Sequence, residues 1–125
     1  MGVEKRYNVM VIDDSKFMCN YIAALLDGTE FQVACKVHNG RDVVNNLLKY
    51  NPDIVLLDII MPDKTGDEVL KEIIKAKPEI KVVMISSAGT EQMVERCLEL
   101  GAMSFLQKPF NKEILLQTLR DILEG

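Results

Sequence analysis

Asp58 follows four apolar residues, Ile54-Val55-Leu56-Leu57, and precedes Ile59-Ile60-Met61-Pro62. A carboxylate inside such a run is costly to bury unless it is paired, bound to a cation or set where the run meets water. Two other apolar runs end in the same manner: residues 9–12 lead into Asp13-Asp14, and residues 82–85 lead into Ser86-Ser87. A shorter run, 104–107, delivers Lys108, held by Pro109. Taken singly, each residue has a plainer role: a strand-ending Asp, a solvated helix start, a surface lysine. Their joint placement at the carboxyl ends of successive runs argues for one shared cleft.

Three carboxylates in one cleft repel. At ~4 Å and an effective dielectric near 20, each pair costs about 4 kcal/mol. Such a cluster needs a cation or raised carboxyl pKa values. All-oxygen donors with room for water suit Mg²⁺, or Mn²⁺, and Lys108 adds a second positive charge. A carboxylate nucleophile in that setting accepts a phosphoryl group and becomes an aspartyl phosphate. Neutralising charge on the transferring oxygens is most of what such a site has to do.

The elements that must position these groups follow from hydrophobic periodicity. Strands are expected at 7–12, 31–37, 54–57, 81–85 and 104–107. Helices are expected between them: 15–26 with Phe17, Met18, Tyr21, Ile22, Leu25 and Leu26 on one stripe, then one carrying Val43, Val44, Leu47 and Leu48. A third spans 66–76, burying Val69, Leu70, Ile73 and Ile74. Thr90 is expected to cap a fourth, with Met93, Val94, Cys97 and Leu98 inward and Gly101 as its stop. Asn111 is expected to cap the fifth, with Ile114, Leu115, Leu119, Ile122 and Leu123 inward. Five strand–helix units demand a doubly wound α/β fold: a parallel sheet with right-handed crossovers and helices on both faces. Ligands of such sheets bind outside the carboxyl ends of the strands, where Asp13, Asp14, Asp58, Ser86 and Lys108 all fall.

The remaining composition is that of an ordinary globular chain of 125 residues, 48% apolar and 27% charged, expected to form a single domain over 1–125. A net charge of −4, with no basic cluster beyond Glu4-Lys5-Arg6, excludes a nucleic-acid footprint. No apolar run approaches the ~20 residues that span a bilayer. The first apolar run is short and ends in acids, unlike a signal peptide. Arg6 breaks the acylation pattern that Met1-Gly2 suggests. Cys19, Cys35 and Cys97 are odd in number, widely spaced and without CxxC, as in reduced core thiols of a cytoplasmic protein. His38, beside Asn39-Gly40, reads as a loop or capping residue.

The strings Val-Ile-Asp13-Asp14-Ser, Leu-Leu-Asp58-Ile-Ile-Met-Pro62, Ile-Ser86-Ser87-Ala and Lys108-Pro109-Phe110 resemble, in order and spacing, the signature set of receiver domains of bacterial two-component response regulators. The resemblance covers the whole chain. It implies a flavodoxin-like five-stranded sheet of order 2-1-3-4-5, with Asp58 as phosphoacceptor. It further implies that Asp14 ligates Mg²⁺ directly, Asp13 chiefly through water, and the Ile60 backbone carbonyl as a third protein ligand. Lys108 would contact the phosphoryl group and Asp58, after a cis Lys108–Pro109 bond. Ser86 would be the switch hydroxyl, and Phe105 the aromatic that moves with it, in place of a commoner Tyr whose hydroxyl is missing here. The implied partners are a histidine kinase or phosphotransfer protein, and an effector or second receiver on the face made by the fourth helix, fifth strand and fifth helix. The only catalysis implied is of the chain's own phosphorylation and dephosphorylation.

Rival functions fare worse. An Mg²⁺-dependent phosphatase with an Asp nucleophile, as in haloacid-dehalogenase-like folds, places an acid/base Asp two residues later, where this chain has Ile60. A flavin or mononucleotide binder would want a Ser/Thr/Gly-rich loop after the first strand, where this chain has Asp13-Asp14. A non-phosphorylated interaction module would lack a key residue, and none is missing. With no effector domain after Leu123, the expectation is a free-standing regulator of the chemotaxis or phosphorelay kind, or the receiver part of a longer protein. By position in the resemblance, Ile60 and Ala88, two residues beyond Asp58 and Ser86, would flank the path of an attacking water, and neither side chain can offer it a hydrogen bond.

Overall fold

The computed structural model describes residues 5–125. Met1, Gly2 and Glu4, read above for a leader, an acyl site and a charge cluster, lie outside the described residues. Strands and helices alternate strictly: β1 (Tyr7–Ile12), α1 (Lys16–Leu26), β2 (Phe31–Val37), α2 (Val43–Tyr50), β3 (Ile54–Asp58), α3 (Gly66–Ala76), β4 (Lys81–Ser86), α4 (Glu91–Leu100), β5 (Ser104–Gln107) and α5 (Lys112–Glu124). All pairings are parallel and the order is β2-β1-β3-β4-β5, the doubly wound, flavodoxin-like arrangement expected.

Alternation along the central strands builds two cores. Val9, Val11, Ile54, Leu56, Val83, Ile85 and Leu106 face α1 and α5, which contribute Cys19, Ile22, Leu26, Leu115, Leu119 and Ile122. Met10, Ile12, Val55, Leu57, Val82 and Met84 face the other way, against Val43 and Leu47 of α2, Val69, Leu70 and Ile73 of α3, and Val94 and Cys97 of α4. Each fully buried aliphatic side chain stabilises the fold by ~1.5–3 kcal/mol, so the sheet's centre is the rigid base of whatever stands on its edge. All three cysteines are buried and free, as expected.

The helix ends are set by local chemistry. Ser15 Oγ accepts from the Met18 amide at 3.1 Å, and Asn111 Oδ1 from the Ile114 amide at 2.9 Å, capping α1 and α5. Gly66 opens α3 close to the end of β3: a Cβ there would lie 3.0 Å from the Ile59 backbone, so a larger residue would push the two apart. Gly101, at φ +122°, ends α4.

The structure corrects the sequence reading in several places. Asp58 and Ser86 belong to their strands as final residues, because Asp58 pairs with Ile85 and the sheet runs one residue further than hydrophobicity does. Thr90 precedes α4 without capping it by its side chain; its Oγ1 accepts from the Ser87 amide at 3.2 Å and donates to the Ser87 carbonyl at 2.7 Å. Phe17 is 75% exposed, and Leu48, Leu98 and Ile114 also face outward. A helix lying on a flat sheet buries a narrow row, and in α1 that row is Cys19, Ile22 and Leu26.

Candidate functional site

Asp13, Asp14, Asp58, Ser86 and Lys108 all stand at the carboxyl edge of the sheet, delivered by β1, β3, β4 and β5. Carboxylate oxygens of Asp13, Asp14 and Asp58 lie within 4.8 Å of one another. Asp13 and Asp58 are buried, while Asp14 is exposed at the mouth. The Lys108 ammonium reaches between the two buried acids, 3.4 Å from Asp13 Oδ2 and 3.4 Å from Asp58 Oδ2. Its backbone is fixed by the Lys108 amide donating to the Ser86 carbonyl at 2.8 Å, and the Lys108–Pro109 bond is cis.

Burial and the neighbouring Asp13 charge push the Asp58 carboxyl up from its ordinary value to about 6, against the opposing pull of Lys108. Three carboxylates against one ammonium leave an excess of two negative charges in a cluster of hard oxygen donors. That charge, donor set and open side fit a divalent cation of the Mg²⁺ class.

His38, read from the sequence only as a loop or capping residue, and Asp63, given no role there, both help to build this edge. His38 follows β2, and because β2 lies beside β1 its Nδ1 comes within 3.0 Å of the Asp13 carbonyl, which also accepts from Cys19 Sγ at 3.5 Å. The loop reading of His38 is correct, but the strand order alone would have placed it beside Asp13. Asp63, five residues after Asp58, accepts from the Gly40 and Arg41 amides at 2.8 and 2.9 Å. Those amides hold its carboxyl below the ordinary range, Gly40 foremost. Asp63 thereby ties the loop that follows Asp58 to the start of α2.

Ile60 and Phe105 are less enclosed. The Ile60 amide lies 3.4 Å from Asp58 Oδ1, and its side chain is 58% exposed. Ser86 is buried, its Oγ donating to the Leu106 carbonyl at 3.4 Å. Phe105 is 44% exposed and shares with Ser86 a groove between α4 and β5.

Comparison with known proteins agrees with this architecture. Residues 9–120 match the response regulator receiver domain. The chemotaxis protein CheY of Halobacterium salinarum is 33% identical over 115 residues, 92% of this chain and 95% of that protein. CheY in a Borrelia burgdorferi CheX-CheY-BeF3-Mg complex superposes with a TM-score of 0.88 at 31% identity, covering 95% of this chain and 90% of that one. The response regulator domain of Thermotoga maritima CheB superposes with a TM-score of 0.85 at 29% identity, covering 97% of this chain and 98% of that one.

Proposed function

The chain belongs to the response regulator receiver domain family, and from that premise we propose that Asp58 accepts the phosphoryl group and that residues 1–125 act as one receiver unit. The observation that carries this reading is the Lys108 ammonium set 3.4 Å from both Asp13 and Asp58. That is one positive charge placed where a phosphoryl group on Asp58 would need one. At neutral pH an Asp58 carboxyl with a pKa of about 6 is mostly ionised, as a nucleophile must be. A carboxylate oxygen attacks phosphorus, the bond from phosphorus to the donor's leaving atom breaks, and the electron pair departs with the leaving group.

Asp14 and Asp58 would hold Mg²⁺ (or Mn²⁺) directly, Asp13 chiefly through water, and the Ile60 carbonyl would be the third protein ligand. The bound cation would neutralise charge on the transferring oxygens. Lys108 offers its ammonium to the same oxygens. Ser86 then exchanges its bond to Leu106 for one to a phosphoryl oxygen, and Phe105 repacks with it. The differential bond to Ser86, available only in the modified state, is what shifts the conformational equilibrium.

The donor is a histidine kinase or phosphotransfer protein, and the output is binding of an effector or second receiver by the α4–β5–α5 face. The chain turns over nothing but its own phosphoryl group. The proposed compartment is the cytoplasm; among the described residues no helix is long and apolar enough to cross a membrane. Intact-mass measurement after acetyl phosphate treatment tests the assignment. One phosphoryl adduct is expected on the wild type with Mg²⁺, little without it, and none on Asp58→Asn. Equal labelling of that variant would refute Asp58 as acceptor.

A further inference from the structure

The peptide that joins Asp13 to Asp14 is held by a side chain from the neighbouring loop. Asp13 donates its amide to the Val37 carbonyl at 2.9 Å, where β1 and β2 end. A further rung of the parallel ladder would take the Asp13 carbonyl to the Asn39 amide. The strand stops at Val37 instead, and the His38 ring stands in, with Nδ1 3.0 Å from that carbonyl. Cys19 Sγ donates to the same oxygen at 3.5 Å and lies 3.8 Å from Nδ1. A carbonyl oxygen only accepts, so Nδ1 carries a hydrogen.

That planar peptide can turn only by changing ψ of Asp13 and φ of Asp14, so its orientation sets how the two side chains depart from the chain. The two acids differ in what else holds them. Asp13 is buried, with Oδ1 accepting from the Ser15 amide at 2.9 Å and Oδ2 lying 3.4 Å from Lys108. Asp14 is exposed and joins no salt bridge among the described residues. Its aim at the cluster therefore depends on its backbone.

We propose that His38 is a positioning residue of the cation site: by donating from Nδ1 to the Asp13 carbonyl it fixes the Asp13–Asp14 peptide and so favours Mg²⁺ over a larger cation such as Ca²⁺. Mg²⁺ demands near-octahedral oxygens at about 2.0–2.1 Å, whereas Ca²⁺ accepts irregular shells at about 2.3–2.6 Å. A loosened Asp14 costs the smaller ion more. Groups behind a ligand act in this way by restricting where it points. Cys19 supports the same oxygen more weakly, because a thiol is a poor donor. The inference rests on the cation site of the preceding section and deepens it by naming what sets its ion preference.

The test titrates Mg²⁺ and, separately, Ca²⁺ into the unphosphorylated full chain and follows the amide shifts of Asp13, Asp14 and Asp58 by NMR. His38→Phe keeps a ring and removes the donor, while His38→Asn keeps an N–H at the same distance along the side chain. His38→Phe should bind Mg²⁺ roughly three- to tenfold more weakly, the effect of one lost hydrogen bond, and Ca²⁺ less than about twofold more weakly. His38→Asn should recover most of the Mg²⁺ affinity. A ring that only packs would weaken both cations alike or neither, and the Asn variant would be no better than the Phe one; any of these results would overturn the proposal. A further measurement needs no variant and stands even where His38→Phe fails to fold. Nitrogen-15 spectra of the wild-type imidazole at pH 8, without cation, should show hydrogen on Nδ1, and hydrogen on Nε2 alone would overturn the proposal. A wild type that binds no Mg²⁺ at these amides would fail the cation site itself, whereas unchanged Mg²⁺ affinity in His38→Phe would fail only the role of His38.

Discussion

Where β1, β2 and β3 end, neighbouring loops are bonded to one another, whereas beyond β4 a lightly held hydroxyl and an aromatic of β5 border open space. On the first side Asp13 Oδ1 accepts from the Ser15 amide at 2.9 Å, its carbonyl meets His38 and Cys19, and its amide donates to the Val37 carbonyl at 2.9 Å. Asp63 adds two more bonds across to Gly40 and Arg41. On the second side Ser86 Oγ has one bond at 3.4 Å, the Thr90 hydroxyl bonds only its own turn, and Gly89 stands at φ +90° with room for a Cβ. The contrast separates two tasks. A cation site must keep several like charges at fixed spacing, so its backbone is tied. A switch must exchange one weak contact for another, so its hydroxyl is held lightly.

The largest effect should come from relieving the repulsion that the tied side holds in place. Asp58 has a raised pKa, so between about 4 and 6 the folded chain binds more protons than the unfolded one. Stability of the cation-free protein therefore falls as pH rises through that window, and the full penalty is present at pH 7 and above. Asp58→Asn in EDTA should be more stable than wild type at pH 7.5, by roughly 1–3 kcal/mol, and equal to it near pH 4. Mg²⁺ should then narrow the gap by stabilising the wild type. Urea titrations at the two pH values check this; a variant no more stable at pH 7.5 would mean that the acids are not in conflict.

Ser86→Ala probes the lightly held side. It should leave Asp58 phosphorylation largely intact while weakening the amide-exchange response of residues 87–107 to phosphorylation. Loss of one net hydrogen bond, about 1 kcal/mol, corresponds to roughly a fivefold shift in population. An undiminished response would show that Ser86 is not the link between the two sides.

Asp63→Ala should act in the opposite sense, weakening Mg²⁺ binding several-fold in calorimetry while leaving the exchange response of residues 87–107 to phosphorylation unchanged at saturating Mg²⁺. Asp63→Asn, which keeps an acceptor oxygen for one of the two amides, should fall between. Equal damage to both readouts would erase the distinction between a tied and a loose side.

How much of this was legible in the sequence differs between the same two sides. The runs ending in Asp13-Asp14, Asp58 and Ser86 announced strand ends, and five alternations announced the parallel sheet. The order β2-β1-β3-β4-β5 came from resemblance, since alternation leaves neighbours open. The contact of His38 with Asp13 and the role of Asp63 were not legible, because they depend on which loops lie side by side, which residue spacing does not encode. The outward turn of Phe17, Leu48, Leu98 and Ile114 was missed for a related reason. Periodicity finds an apolar stripe, but only packing against the sheet decides its width.

The smallest effect bears on Ile60 and Ala88, two residues beyond Asp58 and Ser86. An acyl phosphate on Asp58 decays when water attacks in line, so groups flanking that line set the rate by orienting the water or excluding it. Neither Ile60 nor Ala88 has a side-chain donor or acceptor, and the Ile60 amide lies 3.4 Å from Asp58 Oδ1. Ile60→Asn with Ala88→Glu supplies two polar groups beside the phosphoacceptor. Tenfold in rate corresponds to only ~1.4 kcal/mol, and a partly ordered water recovers a fraction of that, so a roughly two- to fivefold faster decay is expected. Phosphate release from the phosphorylated chain, followed with Mg²⁺ saturating for both proteins, makes the comparison. A half-life unchanged or lengthened in the double variant would mean that these positions do not gate the water. The charged cluster of Asp13, Asp14 and Lys108 would then set the lifetime.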